Sequence, residues 1–256
     1  MILWLFGDSI FRGAIGETDV AAEDPLWPIR APGPMLDLFA GEPFARLGGG
    51  TGIPDGIDKA ARLLAAMVGR EIAADDAIVM LDVGPHSGDP DLHQAQWLKL
   101  RGAVAAHPGP VLICEGFDNG AQGRPNHNHR QVIGDRSAND AVRAAAAAPM
   151  PGAGKTLFVP TAKPLLRYHH VLVREHGATA FRRDGIHLSA WGQARLCWLL
   201  LEALGRADAE ARRRWTAFAA SAWRVLDAPD ASASANLAEL ACQPSKALYP
   251  AAGAER

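Results

Sequence analysis

The chain has 256 residues, 48% of them hydrophobic and 21% charged, which suits a folded domain with a large buried core and excludes a disordered or fibrous chain. Its formal net charge of -2 gives no bulk attraction to nucleic acid or anionic membrane. Three cysteines, Cys114, Cys197 and Cys242, lie far apart among apolar neighbours, a pattern of packed thiols rather than of a disulfide framework or zinc site.

The first element is an apolar run, Ile2 to Phe6, read as a strand that breaks at Gly7-Asp8-Ser9. It lacks the basic flank, length and cleavage site of a signal peptide. No stretch approaches the ~18 apolar residues that span a bilayer, and the chain is read as cytoplasmic. Further strands are expected at Phe44–Leu47, Ala77–Val83, Val111–Cys114 and Thr156–Val159. Helical patterns fall between and after them, at Pro34–Ala40, Gly56–Val68, Leu92–Ala106, Gln131–Ala148, Ala162–His176 and Ser189–Leu204. Strand alternating with helix at this spacing predicts βαβ units and a parallel sheet covered on both faces.

Two stretches stand outside the alternation. Residues 115–130 (EGFDNGAQGRPNHNHR) form a long polar loop after the fourth strand, of the kind that is functional or disordered. From Asp208 a charged helix gives way to a tail rich in Ala, Ser and Pro. The expected division is an α/β unit over 1–206 and a helical extension with a partly loose tail over 207–256. The run Arg212-Arg213-Arg214 is read as the polar face of that helix, packed on the domain or on a second copy of the chain.

Ligands bind at the carboxyl ends of the strands in an open parallel sheet, so Ser9 sits on the rim where chemistry takes place. By itself it can equally be a helix cap, as can Asp8. The stretch RDGIHLSAWGQARL at 183–196 adds Asp184 and His187 just ahead of a helix that Ser189 is placed to cap. A serine nucleophile needs a base to take its proton, and the base needs an anion to fix its tautomer.

GDSI at the first strand and DGIHLSxxG near the end of the α/β region resemble the first and last signature blocks of the SGNH, or GDSL-type, hydrolases. The resemblance covers roughly residues 1–204. It implies a flavodoxin-like three-layer α/β/α sandwich with a central parallel sheet of about five strands. It also implies ester or thioester hydrolysis through an acyl-enzyme; the leading expectation is a serine esterase acting on a small acyl ester, an acetylated sugar or metabolite among the candidates, with no cofactor. Carried over, Ser9 is the nucleophile, His187 the base and Asp184 its orienting partner. The Ser9 amide donates to the oxyanion. The second block supplies a glycine donor: Gly49 in RLGGGTGI has the right spacing to Gly52, with Gly48 or Gly50 as alternatives if the register slips. The third block departs from the family pattern. His86 stands in GPHS where the family carries an asparagine, and three readings stay open: His86 replaces the amide as a donor, the site serves a different substrate, or activity has been lost. The same acyl-serine would also serve an acyltransferase, and the last case would leave a binding or scaffold protein.

Asp8, His127 and Arg183 are weaker expectations, placed by position near substrate. His127 and His129 lack an evident carboxylate or cysteine partner, so no metal is expected. GAGKT at 152–156 resembles the end of a phosphate loop, but Pro149 replaces the required first glycine and the motif precedes a strand instead of following one. His169 and His170 are read as packing or surface residues, and Trp191 and Trp198 as core.

Overall fold

The computed structural model describes residues 1–7, 31–50, 56–81, 90–116, 136–149, 155–181 and 187–244. In chain order these form β1 (Leu3–Gly7), α1 (Pro32–Ala40), β2 (Ala45–Gly50), α2 (Gly56–Met67), β3 (Ala77–Leu81), α3 (Pro90–Ala103) and β4 (Val111–Cys114). There follow α4 (Arg136–Ala147), β5 (Thr156–Val159), α5 (Ala162–His176), α6 (Ala190–Ala203), α7 (Ala209–Ser221) and α8 (Ala231–Ala241).

The five strands make one sheet in the order β2-β1-β3-β4-β5, with every pair parallel. This is the flavodoxin-like order. Strands β1, β3 and β4 are buried at every position, as expected of a sheet covered on both faces. Parallel crossovers are right-handed as a rule. The step from β1 out to β2, followed by the reversal to β3, therefore puts α1 on one face and α2, α3 and α4 on the other.

The core divides accordingly. Leu3, Leu5, Val79, Leu112 and Cys114 point into a layer with α1, α5, α6, α7 and α8. Their strand neighbours Trp4, Phe6, Ile78, Met80 and Ile113 point into a layer with α2, α3 and α4. The period-2 alternation of strand side chains thus builds both halves of the sandwich.

β2 extends beyond the expected Phe44–Leu47, through the glycine run to Gly50. Its register on β1 shifts, with Leu5 opposite Leu47 but Phe6 opposite Gly49. Gly48 is the extra residue of a bulge. A Cβ there would lie 2.4 Å from Phe6 Cζ, so the Phe6 ring occupies the space a side chain would need.

Asp76, just ahead of β3, anchors the opposite edge of the sheet. Its carboxylate accepts from the Ile2 amide at 2.6 Å, the Trp4 indole at 3.0 Å and the Ala73 amide at 3.0 Å. Burial pushes this carboxyl up, but the three hydrogen bonds and the nearby chain amine outweigh that and hold it below the ordinary carboxylate range.

Residues 208–244 are more ordered than their composition suggests. Asp208 and Asp230 cap α7 and α8 by accepting from the amides of Ala211 and Ala233. Trp215 on α7 is fully buried, with Phe39, Trp191 and Phe218 around it. α8, in the stretch expected to be loose, buries Leu237, Ala238, Ala241 and Cys242. The buried Arg195 of α6 reaches its end and donates to the carbonyls of Ala241 and Gln243. Such a cation answers both the orphan carbonyls and the negative end of a helix. Arg101 does the same for α4, through Ala145 and Ala148, and Arg214 for α1, through Phe39. Within the basic run, Arg213 and Arg214 pair with Glu210, while Arg212 lies near Glu239 and over the Trp198 ring.

The three cysteines are buried free thiols, and burial raises all three. Among the described residues no helix is long and apolar enough to cross a membrane.

Candidate functional site

The carboxyl ends of the strands define the candidate site. Gly7, the last residue of β1, lies between Gly50 of β2 and Leu81 of β3 in register. From Gly7 the chain leaves toward α1 on one face, and from Leu81 toward α3 on the other. This divergence is the topological switch point at which ligands bind in open α/β sheets.

Gly49 and Gly50 end β2 at this rim, beside Phe6 and Gly7. Gly48 is taken up in the bulge against Phe6, and Gly49 and Gly50 are the last two residues of β2. Ser9 follows Gly7 by two residues, and His86 follows Leu81 by five. Both lie outside the described residues, as do Asp8, Gly52, His127, Arg183 and Asp184.

His187 is described, half-buried, and set immediately before α6. Three contacts fix the direction of that helix. The thiol of Cys197 donates to the carbonyl of Pro32, the first residue of α1, at 3.7 Å. Arg206, just past the helix, pairs with Glu42 ahead of β2 at 3.3 Å and lies over the Phe44 ring. α6 therefore runs beside α1 from the carboxyl edge toward the amino edge of the sheet, and His187 is delivered to the same edge as Gly7 and Gly49.

The local reason for that delivery is a tight clamp. Ser189 caps α6: its Oγ accepts from the Gly192 amide at 3.3 Å and donates to the Thr179 carbonyl at 2.5 Å. The Ser189 amide donates to the Ala180 carbonyl at 3.0 Å. Phe181 and Leu188 form an antiparallel bridge. The 179–181 stretch thus grips 188–189, directly beside His187.

Gly192 has a specific place in this clamp. A Cβ there would sit 2.0 Å from the Ala180 carbonyl oxygen, so only glycine lets helix and strap approach this closely. Gly192→Ala is expected to cost about 2 kcal/mol through forced displacement of the strap. A drop in the urea midpoint checks this; an unchanged midpoint would mean that the strap yields freely.

Glu115 opens the polar stretch after β4 and holds the exit of that strand in place. It follows β4 directly and is 6% exposed. Its carboxylate accepts from the Ala162 amide at 3.0 Å, at the N-terminus of α5, and lies 3.6 Å from Arg143. Its carbonyl accepts from the Thr161 hydroxyl. Burial raises this carboxyl, with the Ala162 amide and the cations Arg143 and Lys163 opposing that rise. Asn139 fixes the next residue by accepting from the Gly116 amide and donating to its carbonyl. These groups set where the chain departs from β4. No sequence motif marks them, because their partners are backbone groups of distant segments.

Among the described residues no group of three or more His, Cys, Asp or Glu is arranged to hold a metal. His169 is buried on α5 and His170 is exposed on the same helix.

No family model matches the sequence, and no curated protein matches it. Solved structures do share its fold. An alpha/beta hydrolase enzyme from the metagenome of Lake Arreo, Spain, is 16% identical with a TM-score of 0.51, over 81% of this chain and 96% of that one. A variant of an acetyl xylan esterase from Geobacillus stearothermophilus is 17% identical with a TM-score of 0.50, over 79% and 94%. A DUF4886 family protein from Bacteroides uniformis is 14% identical with a TM-score of 0.50, over 80% and 82%. At these identities the likeness is one of architecture: this chain is similar to those structures in its layered α/β fold.

Proposed function

We propose that the protein is a serine hydrolase of the SGNH type that cleaves a small acyl ester through an acyl-serine at Ser9. What supports this reading is the direction of α6, which runs from the carboxyl edge of the sheet, where β1 and the glycine run of β2 end, with His187 just ahead of its start. The fold supports it, since two structures similar to this chain are described as an alpha/beta hydrolase and an acetyl xylan esterase.

In this reading His187 takes the proton of the Ser9 hydroxyl as its oxygen attacks the ester carbonyl. Asp184 holds the imidazole in the required tautomer and stabilises its charged form. The amides of Ser9 and Gly49, with an N–H of His86, donate to the oxyanion. The tetrahedral species collapses, the alkoxide leaves with the proton held by His187, and the acyl group remains on Ser9. Water then gives a proton to His187 and attacks the acyl carbonyl. The acid is released and Ser9 regains its proton. A single oxyanion donor is worth about 3–4 kcal/mol in such transition states, so the imidazole at position 86 bears directly on rate. Asp8, His127 and Arg183 are proposed to lie along the substrate.

A serine-reactive fluorophosphonate tests this without a guess at substrate. One adduct by intact mass on the native protein, and none on Ser9→Ala, is the expected outcome. Absence of any adduct on the native protein would count against an activated serine and favour a binding or scaffold role.

A further inference from the structure

His169 sits on α5, buried, with its Nδ1 accepting from the Ala180 amide at 3.3 Å. The Phe181 ring packs edge-on against it at 5.3 Å. Ala180 is the node of the clamp described above. Its N–H goes to His169, its carbonyl takes the Ser189 amide, and its oxygen abuts Gly192. One imidazole therefore fixes the strap that grips Leu188 and Ser189, the residues that follow His187.

We propose that His169 is a positioning residue for His187, acting as a neutral acceptor that holds the 179–181 strap in place. This rests on the reading of His187 as the base.

Accepting at Nδ1 requires the tautomer with its proton on Nε2. Burial, and then the neighbouring His170, lowers this imidazole, which keeps it in that neutral form. A charged ring would present an N–H to the Ala180 N–H and break the contact. An apolar side chain of similar size would keep the packing on Phe181 and lose the acceptor. Asparagine would keep an acceptor oxygen near the position of Nδ1.

The experiment compares His169→Leu and His169→Asn with the native protein in two measurements. One is the rate of fluorophosphonate labelling. The other is amide hydrogen exchange at Ala180 and Ser189, with near-UV circular dichroism confirming the fold. The leucine variant is expected to label about 10- to 100-fold more slowly, the penalty of a displaced catalytic group, with faster exchange at both amides. The asparagine variant is expected to recover most of the rate and of the protection. Labelling of the leucine variant at the native rate would overturn the proposal, as would equal slowing in both variants. If the leucine variant does not fold, His169→Gln replaces it, since its oxygen extends toward the Nε2 position and misses the amide. Ser9→Ala is the control for the underlying reading. Continued labelling of that variant would sink the serine mechanism, and the positioning role with it, while the exchange data would still report whether His169 holds Ala180.

Discussion

Replacing either Ser9 or His187 by alanine is expected to lower kcat for a cleavable acyl ester by about 10⁴- to 10⁶-fold, and the double variant should be little worse than either single one. In the proposed mechanism the two groups act on one proton. Without the imidazole the hydroxyl stays protonated at neutral pH, and without the hydroxyl the imidazole has nothing to activate but water. What survives in each variant is catalysis by the oxyanion donors and substrate binding, which the two share. Losses that multiply in the double variant would show two independent routes and dismiss the shared proton transfer. His187→Ala should also abolish fluorophosphonate labelling, measured by intact mass.

The largest effect on stability is expected at Asp76→Ala. One carboxylate accepts from three donors, the Ile2 amide, the Trp4 indole and the Ala73 amide. Its removal leaves these donors without their acceptor at the amino edge of the sheet. Each buried unsatisfied donor costs about 1–3 kcal/mol, and water can reach the two half-covered amides, so the loss should be about 3 kcal/mol. Urea unfolding at pH 7 measures it. The sign of the pH dependence follows from the depressed carboxyl. The folded protein binds fewer protons here than the unfolded chain, so the contribution is complete above the unfolded carboxyl's value of about 3.9. It declines as pH falls below that, through the lower folded value. The gap between native and variant should therefore be constant from pH 7 to 5 and narrow below about pH 4. A gap that widens in acid would mean that the carboxyl is protonated in the native state.

Much of this architecture was legible in the residues because the physics that made it is local. Short continuous apolar runs such as AIVML at 77–81, set between helical patterns, read as strands buried on both faces, and Ser189 followed by a helical pattern marks the start of α6. The parts that were not legible depend on distant partners. Gly48 looks like one of three interchangeable glycines until the Phe6 ring is seen against it. α8 looks like loose tail because its buried surface is largely alanine, and what secures it is Arg195, a residue of another helix. Glu115 and His169 both answer backbone amides, Ala162 and Ala180, and an amide carries no signature in a sequence. Of the candidate site, the sheet edge, Gly49 and His187 could be followed from sequence into structure.

The alternation of side chains across β1 has a consequence for how such a site can drift. The strap and turn that hold His187 pack through Ala180, Phe181, Leu188 and Trp191 into one layer. The bulge that sets Gly49 packs through Phe6 into the other. Substitutions far apart and without shared partners add rather than couple. A lineage can therefore remodel the bed beneath the glycine rim while the histidine's seat stays as it was, or the reverse. The sheet acts as a partition between two separately adjustable halves of the proposed site.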